Sequence, residues 1–133
     1  MRLMVDPMVE PVAQHTPVPV PLHWQAGVKK GLNQDVMLGI LEPVPVGELV
    51  TWCHRMVVCA KKNGQPRRTV DFQPLNLHVT HETHDTQSPF YQARSIPSHK
   101  RKTVFDCWNG YHSVPLHPDG HHLTMFITPW GRY

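Results

Sequence analysis

The stretch MVVCAKKNGQPRRTVDF (residues 56–72) contains two short runs with strand character on either side of a turn signal. The first run, Met56 to Ala60, is apolar and rich in residues with β propensity, and the last four residues alternate polar and apolar side chains. Asn63-Gly64 lies between the runs and is a strong signal for a β-hairpin. The stretch therefore predicts a hairpin that concentrates two lysines and two arginines near one tip.

Positive charge is concentrated around this hairpin and downstream of it. The net charge of the chain is only +3, but nine basic and three acidic residues lie between Arg55 and Lys102. Most of this surplus comes from KKNGQPRR (61–68) and HKRK (99–102). Such patches suit a polyanionic partner, either nucleic acid or a triphosphate. A solvated surface face with no partner is the alternative reading of each cluster.

Two segments precede the hairpin. Five of the 14 prolines fall in the first 21 residues, and this spacing favours extended, polyproline-like chain, so residues 1–18 are interpreted as an arm or linker. Apolar residues then recur at every fourth position, at Val28, Leu32, Val36 and Ile40. This spacing predicts one amphipathic helix over residues 23–38, ended by Gly39.

The chain after the hairpin contains two further runs with strand character. KTVFDCW (102–108) predicts a buried strand with Asp106 near its carboxyl end, and HLTMFITP (122–129) predicts another apolar strand. The residues from Gln73 to Phe90 are predicted to have irregular structure, and QARSIPSHK (92–100) is compatible with a brief helix. The residues from 110 to 120 read as a turn region.

Cysteine, histidine and the amino terminus limit the class of protein. Three cysteines form no disulfide framework and no zinc knuckle, which favours a reducing compartment. His78, His81 and His84 have the best spacing for a metal site but lack the glutamate of an HExxH motif. The amino terminus has no signal-peptide core, and no run approaches transmembrane length. We expect a soluble chain in the cytoplasm or nucleus, with no membrane partner.

Three segments in order, residues 56–76, 105–116 and 123–133, resemble the fingers and first palm segment of a reverse transcriptase. The resemblance is to the polymerases of gypsy-type long-terminal-repeat retrotransposons and runs from about Pro19 to Tyr133. It implies an α+β fold, a partial right-hand polymerase with a fingers β-hairpin, a first palm segment and an incomplete palm sheet. Residues 19–133 would be the amino-terminal part of the reverse transcriptase domain.

The resemblance implies a role for three residues of the palm segment. Asp106 would be the first carboxylate that binds catalytic Mg²⁺, and the main-chain carbonyl of Cys107 would add an oxygen ligand. Tyr111 would lie under the incoming sugar and exclude a ribose 2′-hydroxyl. The structural alternatives are that Asp106 caps the turn after its strand and that Tyr111 is a core tyrosine.

The resemblance also implies roles in the hairpin. Arg67 and Lys62 would contact triphosphate oxygens, and the choice between Lys61 and Lys62 stays open. The other basic side chains are expected to face solvent or a nucleic-acid backbone, namely Arg68, Lys100, Arg101 and Lys102. Asp71 and Asn76 are interpreted as structural. The implied partners are deoxynucleoside triphosphates, an RNA template, RNA–DNA hybrid, and the remainder of a polyprotein with protease, RNase H and integrase.

The sequence departs from the family pattern in ways that bear on activity. Gln73 stands where the family often has a basic residue, and no Tyr-x-Asp-Asp motif, template grip or thumb is present. One carboxylate does not hold two divalent ions, so the chain is predicted to be truncated before the second aspartate motif, inactive alone and marginally stable. The competing hypotheses are a non-catalytic nucleic-acid-binding module and an expressed remnant without function.

Overall fold

A computed structural model describes residues 1–80, 86–107 and 110–133. The chain divides into two units, one of Met1–Thr80 with Pro115–Tyr133 and the other of His81–Val114. The helices are α1 (Leu22–Met37), α2 (Gln73–Asn76) and α3 (Pro89–Ser95), and the strands are β1 (His54–Ala60), β2 (Pro66–Asp71), β3 (Phe126–Thr128) and β4 (Gly131–Arg132). Within the described ranges, no helix has the length and apolar character needed to cross a membrane.

The predicted hairpin is confirmed. Strands β1 and β2 pair antiparallel from Arg55↔Asp71 to Ala60↔Pro66. At the turn, the Lys61 N–H donates to the Gln65 carbonyl over 2.8 Å, and Gly64 has φ 77°. This left-handed backbone conformation carries no steric cost for glycine, which explains why the Asn-Gly signal predicted the turn correctly.

The hairpin is half of a four-stranded sheet in the order β2-β1-β3-β4. Strand β3 pairs parallel with β1 at His54↔Phe126 and antiparallel with β4 at Thr128↔Gly131. The parallel pair joins residues 72 positions apart, which no local pattern predicts. The strand predicted over residues 122–129 is shorter in the structure, where β3 covers only Phe126–Thr128. The first residues of the predicted range belong to the 3₁₀ helix Pro118–Leu123 instead.

The predicted amphipathic helix is also confirmed, as α1. Val28 and Leu32 are each 1% exposed and pack in one cluster with Met56, Phe126 and Val20. The helix is followed by Gly39 at φ 69°, whose N–H donates to the Val36 carbonyl. A left-handed glycine just past the last turn is a common way to end a helix.

A second apolar cluster belongs to unit 1, and its buried members are Trp52, Leu75 and Leu123. Leu75 belongs to α2, which forms where the sequence predicted irregular chain. That prediction is wrong because Pro74 occupies the first turn of the helix, where its missing N–H costs nothing. Residues 1–18 contain no helix, and Val5, Val9 and Val12 pack against this cluster.

The second unit corrects the prediction of a buried strand over residues 102–108. Residues 101–107 have neither helix nor strand, Trp108 lies outside the described residues, and Val104 and Phe105 are 94% and 88% exposed. An apolar run becomes a strand only when a neighbouring strand takes up its N–H and C=O groups. Within the described residues, no strand pairs with this run. A brief helix is present as α3, but it begins at Pro89 and shares only residues 92–95 with the expected range; the Ser88 hydroxyl accepts the Tyr91 N–H at its start.

Candidate nucleotide-binding site

The two faces of the hairpin carry different side chains. Successive residues of a strand point to opposite faces, and β2 alternates between half-buried and exposed positions along its length. Met56 and Val70 lie on the face that packs against α1. Arg67 is exposed and stands opposite Cys59 on the other, open face. The hairpin therefore presents Arg67 to solvent while its other face joins the core.

Arg68 lies on the helix-packed face, and the expectation that it faces solvent or nucleic acid is wrong. Its Nη2 donates to Oδ2 of Asp35 over 2.8 Å, and the two side chains are 28% and 18% exposed. Gly31 makes room for the guanidinium, because a Cβ there would lie 3.1 Å from Cζ of Arg68. The ion pair thus links β2 to α1, and Arg68 compensates the negative charge of Asp35.

The tip of the hairpin is ordered by main-chain hydrogen bonds while its lysines stay exposed. The Lys61 carbonyl accepts the Gly64 N–H over 2.9 Å, and Oδ1 of Asn63 accepts the Gln65 N–H over 3.1 Å. Lys61 and Lys62 are both exposed on this turn. The turn therefore positions two ammonium groups near Arg67, and the choice between them remains a prediction.

The acid of the hairpin lies at its opposite end. Asp71 pairs with Arg55 in the register, and its Oδ1 accepts the Gln73 N–H over 3.0 Å. This contact agrees with the interpretation of Asp71 as a turn acid. Among the residues of the hairpin, the exposed tip thus carries positive charge while the one carboxylate lies at the other end, and positive charge of this kind attracts a polyanion.

The predicted palm residues belong to the second unit. Asp106 and Cys107 are exposed in irregular chain, and Tyr111 is 96% exposed in the 3₁₀ helix Gly110–Ser113. The expectation that the acid is buried is wrong, and so is the alternative of a core tyrosine. A Cβ at Gly110 would lie 3.1 Å from Cβ of Cys107. The metal and nucleotide roles of these residues remain predictions.

The histidine metal site is not assembled by the part of the chain that the structure describes. His81 and His84 lie outside the described residues, and the ring of His78 lies 6.3 Å from that of Trp52. Across residues 1–80, 86–107 and 110–133, no group of three or more histidine, cysteine or acidic side chains is placed to hold a metal ion.

His54 is a buried polar residue that the sequence analysis missed. It is 1% exposed, its Nε2 bonds the Leu123 carbonyl over 3.0 Å, and Nδ1 has no hydrogen-bond partner among the described residues. Burial lowers the pKa of His54, because the charged imidazolium loses its hydration. The neutral ring therefore donates from Nε2, and its role is structural. The signal in the sequence was its position two residues before the apolar run that starts at Met56.

The fold has solved counterparts, although no protein-family model matches the sequence. The native protease-reverse transcriptase of prototype foamy virus has a TM-score of 0.76 and 20% identity, and the match covers 93% of this chain and 16% of that one. This chain has the fold of one part of a reverse transcriptase. The foamy viral protease-reverse transcriptase in complex with dsDNA has a TM-score of 0.76 and 16% identity, with coverages of 96% and 25%.

These similarities confirm the predicted α+β fold, with a fingers hairpin and the first part of an incomplete palm. The chain spans 16% to 25% of the length of the foamy viral chains that it matches. Those neighbours come from a foamy virus, and at 16–20% identity the likeness concerns the fold.

Proposed function

We propose that this chain is a fragment of an RNA-directed DNA polymerase of gypsy-type retrotransposon origin, and that its hairpin binds the triphosphate of an incoming deoxynucleotide. The observation that carries the proposal is the placement of Arg67 on the open face of a basic hairpin within a reverse transcriptase fold. An exposed guanidinium beside exposed ammonium groups is suited to phosphate oxygens.

Each basic residue has its own part in this proposal. Arg67 offers a planar pair of donors that bridges two phosphate oxygens, and Lys62 adds a mobile point charge from the turn. Arg68 is excluded because its guanidinium is bonded to Asp35. The main-chain bonds of the turn limit the loss of conformational freedom when the phosphate binds.

We extend the proposal to the palm residues as the resemblance implies them. Asp106 and the carbonyl of Cys107 would contribute oxygens to Mg²⁺, which supplies charge stabilisation in nucleotidyl transfer, and Tyr111 would contact the sugar. The donors of the described residues do not fit a two-metal centre by themselves, since one carboxylate and one carbonyl leave most of the coordination sphere empty. Further carboxylates from another polypeptide segment are therefore required.

The proposed partners follow from the similarity to reverse transcriptases. Two solved neighbours are described in complex with dsDNA, and both are protease-reverse transcriptases. For this chain we propose RNA template and RNA–DNA hybrid as ligands, and the remainder of a polyprotein with protease, RNase H and integrase as partners. The cytoplasm or nucleus is the expected location.

The hairpin is tested by measuring deoxynucleoside triphosphate binding by NMR chemical-shift titration. Arg67→Ala is expected to weaken binding about 10-fold, because it removes a charge-assisted hydrogen-bonding group. Arg55→Ala is the matched control, since it removes the same charge from the same face at the end of the hairpin away from the turn. Equal effects of the two substitutions, or no binding by the unaltered chain, would contradict the proposal.

Catalysis is tested by primer extension with Mg²⁺, a primed RNA template and deoxynucleotides. We expect no synthesis by this chain alone, because its described residues lack the second and third carboxylates of a two-metal site. Robust synthesis that Asp106→Asn leaves unchanged would show that another site supplies the chemistry. Robust synthesis abolished by Asp106→Asn would show that this chain is a sufficient polymerase.

A non-catalytic nucleic-acid-binding module is the second candidate. It is favoured by the contrast between the fully paired basic hairpin and Asp106, which is exposed in irregular chain. The discriminating measurement is the affinity for RNA–DNA hybrid as a function of salt. Binding that weakens with salt and with Lys62→Ala but not with Asp106→Asn, together with absent triphosphate binding, would support this candidate.

A further inference from the structure

Of residues 1–18, the part from 1 to 14, called here the arm, packs on the cluster of Trp52, Leu75 and Leu123 in the first unit, and the surface that it covers is called here the groove. Apolar side chains of the arm contact the cluster formed by Trp52, Leu75 and Leu123; these side chains are Leu3, Val5, Val9 and Val12. The buried members of the cluster are 2% to 9% exposed. The arm is thus the cover of an apolar groove, and the groove needs an occupant of this pattern to stay out of water.

Main-chain hydrogen bonds hold the arm at two places. Val5 pairs antiparallel with Val79, and the Thr80 N–H donates to the Met4 carbonyl over 2.9 Å. Ala13 pairs parallel with Cys53, and the Gln14 N–H donates to the Cys53 carbonyl over 2.8 Å. The groove therefore recognises an extended backbone as well as apolar side chains, in the manner of strand addition.

The first residues of the arm make a third set of contacts. The amino group of Met1 donates to the Pro115 carbonyl over 2.7 Å, and the His117 N–H donates to the Met1 carbonyl over 2.7 Å. A guanidinium nitrogen of Arg2 lies 3.0 Å from Nε2 of His117. The arm is thus bound from its first residue to Gln14 as one continuous element.

The connection between the arm and the rest of the chain has a different character. Within the described residues, no main-chain hydrogen bond involves residues 15–19, His-Thr-Pro-Val-Pro. Val20, directly after them, is 5% exposed and belongs to the helix cluster. Proline at positions 17 and 19 favours extended backbone. Residues 15–19 therefore connect two anchored segments, the arm and the helix cluster, without main-chain hydrogen bonds of their own.

We propose that the groove accepts the arm of a second copy of this chain, so that two chains exchange residues 1–14 and form a domain-swapped dimer. Every contact of the arm is the same in the exchanged and closed forms, and only residues 15–19 change conformation. Exchange of an identical element needs no new complementary surface. Because the closed form is unimolecular, the dimer fraction increases with protein concentration.

The pair Val5 and Val79 provides a direct test. The hydrogen bonds at Met4–Thr80 and Asp6–His78 flank this antiparallel pair, so it is a non-hydrogen-bonded pair whose side chains are close. The variant Val5→Cys with Val79→Cys is made with Cys59→Ser and Cys107→Ser, equilibrated at 10 μM to 1 mM, about a 100-fold range, and then oxidised. We expect a disulfide-linked dimer on a non-reducing gel, in a fraction that increases with concentration.

Random collision is controlled by Val46→Cys in place of Val79→Cys, because Val46 is fully exposed and is not an arm partner. An intramolecular disulfide alone at every concentration would overturn the proposal, as would equal dimer yields for the control. Deletion of residues 16–18 in the otherwise unaltered chain is the second test, because a shortened connector prevents closure. Light scattering is then expected to show dimer at concentrations where the full chain is monomeric, and an unchanged monomer would overturn the proposal.

Discussion

In α1, a Cβ built at Gly31 would lie 3.1 Å from Cζ of Arg68, whereas a Cβ at Gly27 would meet nothing within 4 Å. Gly27→Ala is expected to raise the free energy of unfolding by about 0.5–1 kcal/mol, because alanine is the better helix former. Gly31→Ala is expected to gain less or to destabilise, because the added methyl displaces the guanidinium from Asp35. Urea denaturation of the two variants measures the difference, and equal gains would contradict the role of Gly31.

At the scale of the element, the hairpin depends on the left-handed conformation of Gly64, whose φ is 77°. Gly64→Ala is expected to lower the free energy of unfolding by about 1 kcal/mol, because a Cβ is strained in this conformation. Gly64→Asn is the matched variant and is expected to recover part of the loss, since asparagine tolerates left-handed backbone. If urea denaturation gives both variants the same free energy of unfolding as the unaltered chain, the turn does not control the stability of the hairpin.

At the scale of the whole molecule, His54 couples stability to pH. Its ordinary pKa is 6.5 and burial lowers the pKa in the folded chain, so the unfolded chain binds the proton first as pH decreases. The contribution of neutral His54 to the free energy of unfolding is therefore fully present above about pH 6.5. Below that pH the free energy of unfolding decreases by up to about 1.4 kcal/mol per pH unit. His54→Gln keeps a donor for the Leu123 carbonyl and is expected to flatten this dependence in thermal melts from pH 7 to 5. His15→Gln, at an exposed position, should leave it unchanged.

Local pattern was enough for α1 and for the hairpin. Helical spacing at Val28 and Leu32 and the Asn63-Gly64 turn depend on interactions between residues a few positions apart, and these are visible in the sequence. Short-range signals also predicted α3 in outline. Arg67 and Arg68 lie on opposite faces of the sheet because they are adjacent in one strand. The alternation does not predict that Arg68 binds Asp35.

The sequence by itself determined the elements that form from their own residues, the basic hairpin above all, and it indicated a reverse transcriptase fold, which the comparisons with solved structures support. Tertiary structure decided the rest. It bound Arg68 to Asp35 across 33 positions, buried His54 against Leu123 across 69, and left Val104 and Phe105 exposed in unpaired chain. The physical reason is that a charge, a buried ring or a strand takes its role from its neighbour in space, and no local pattern specifies that neighbour.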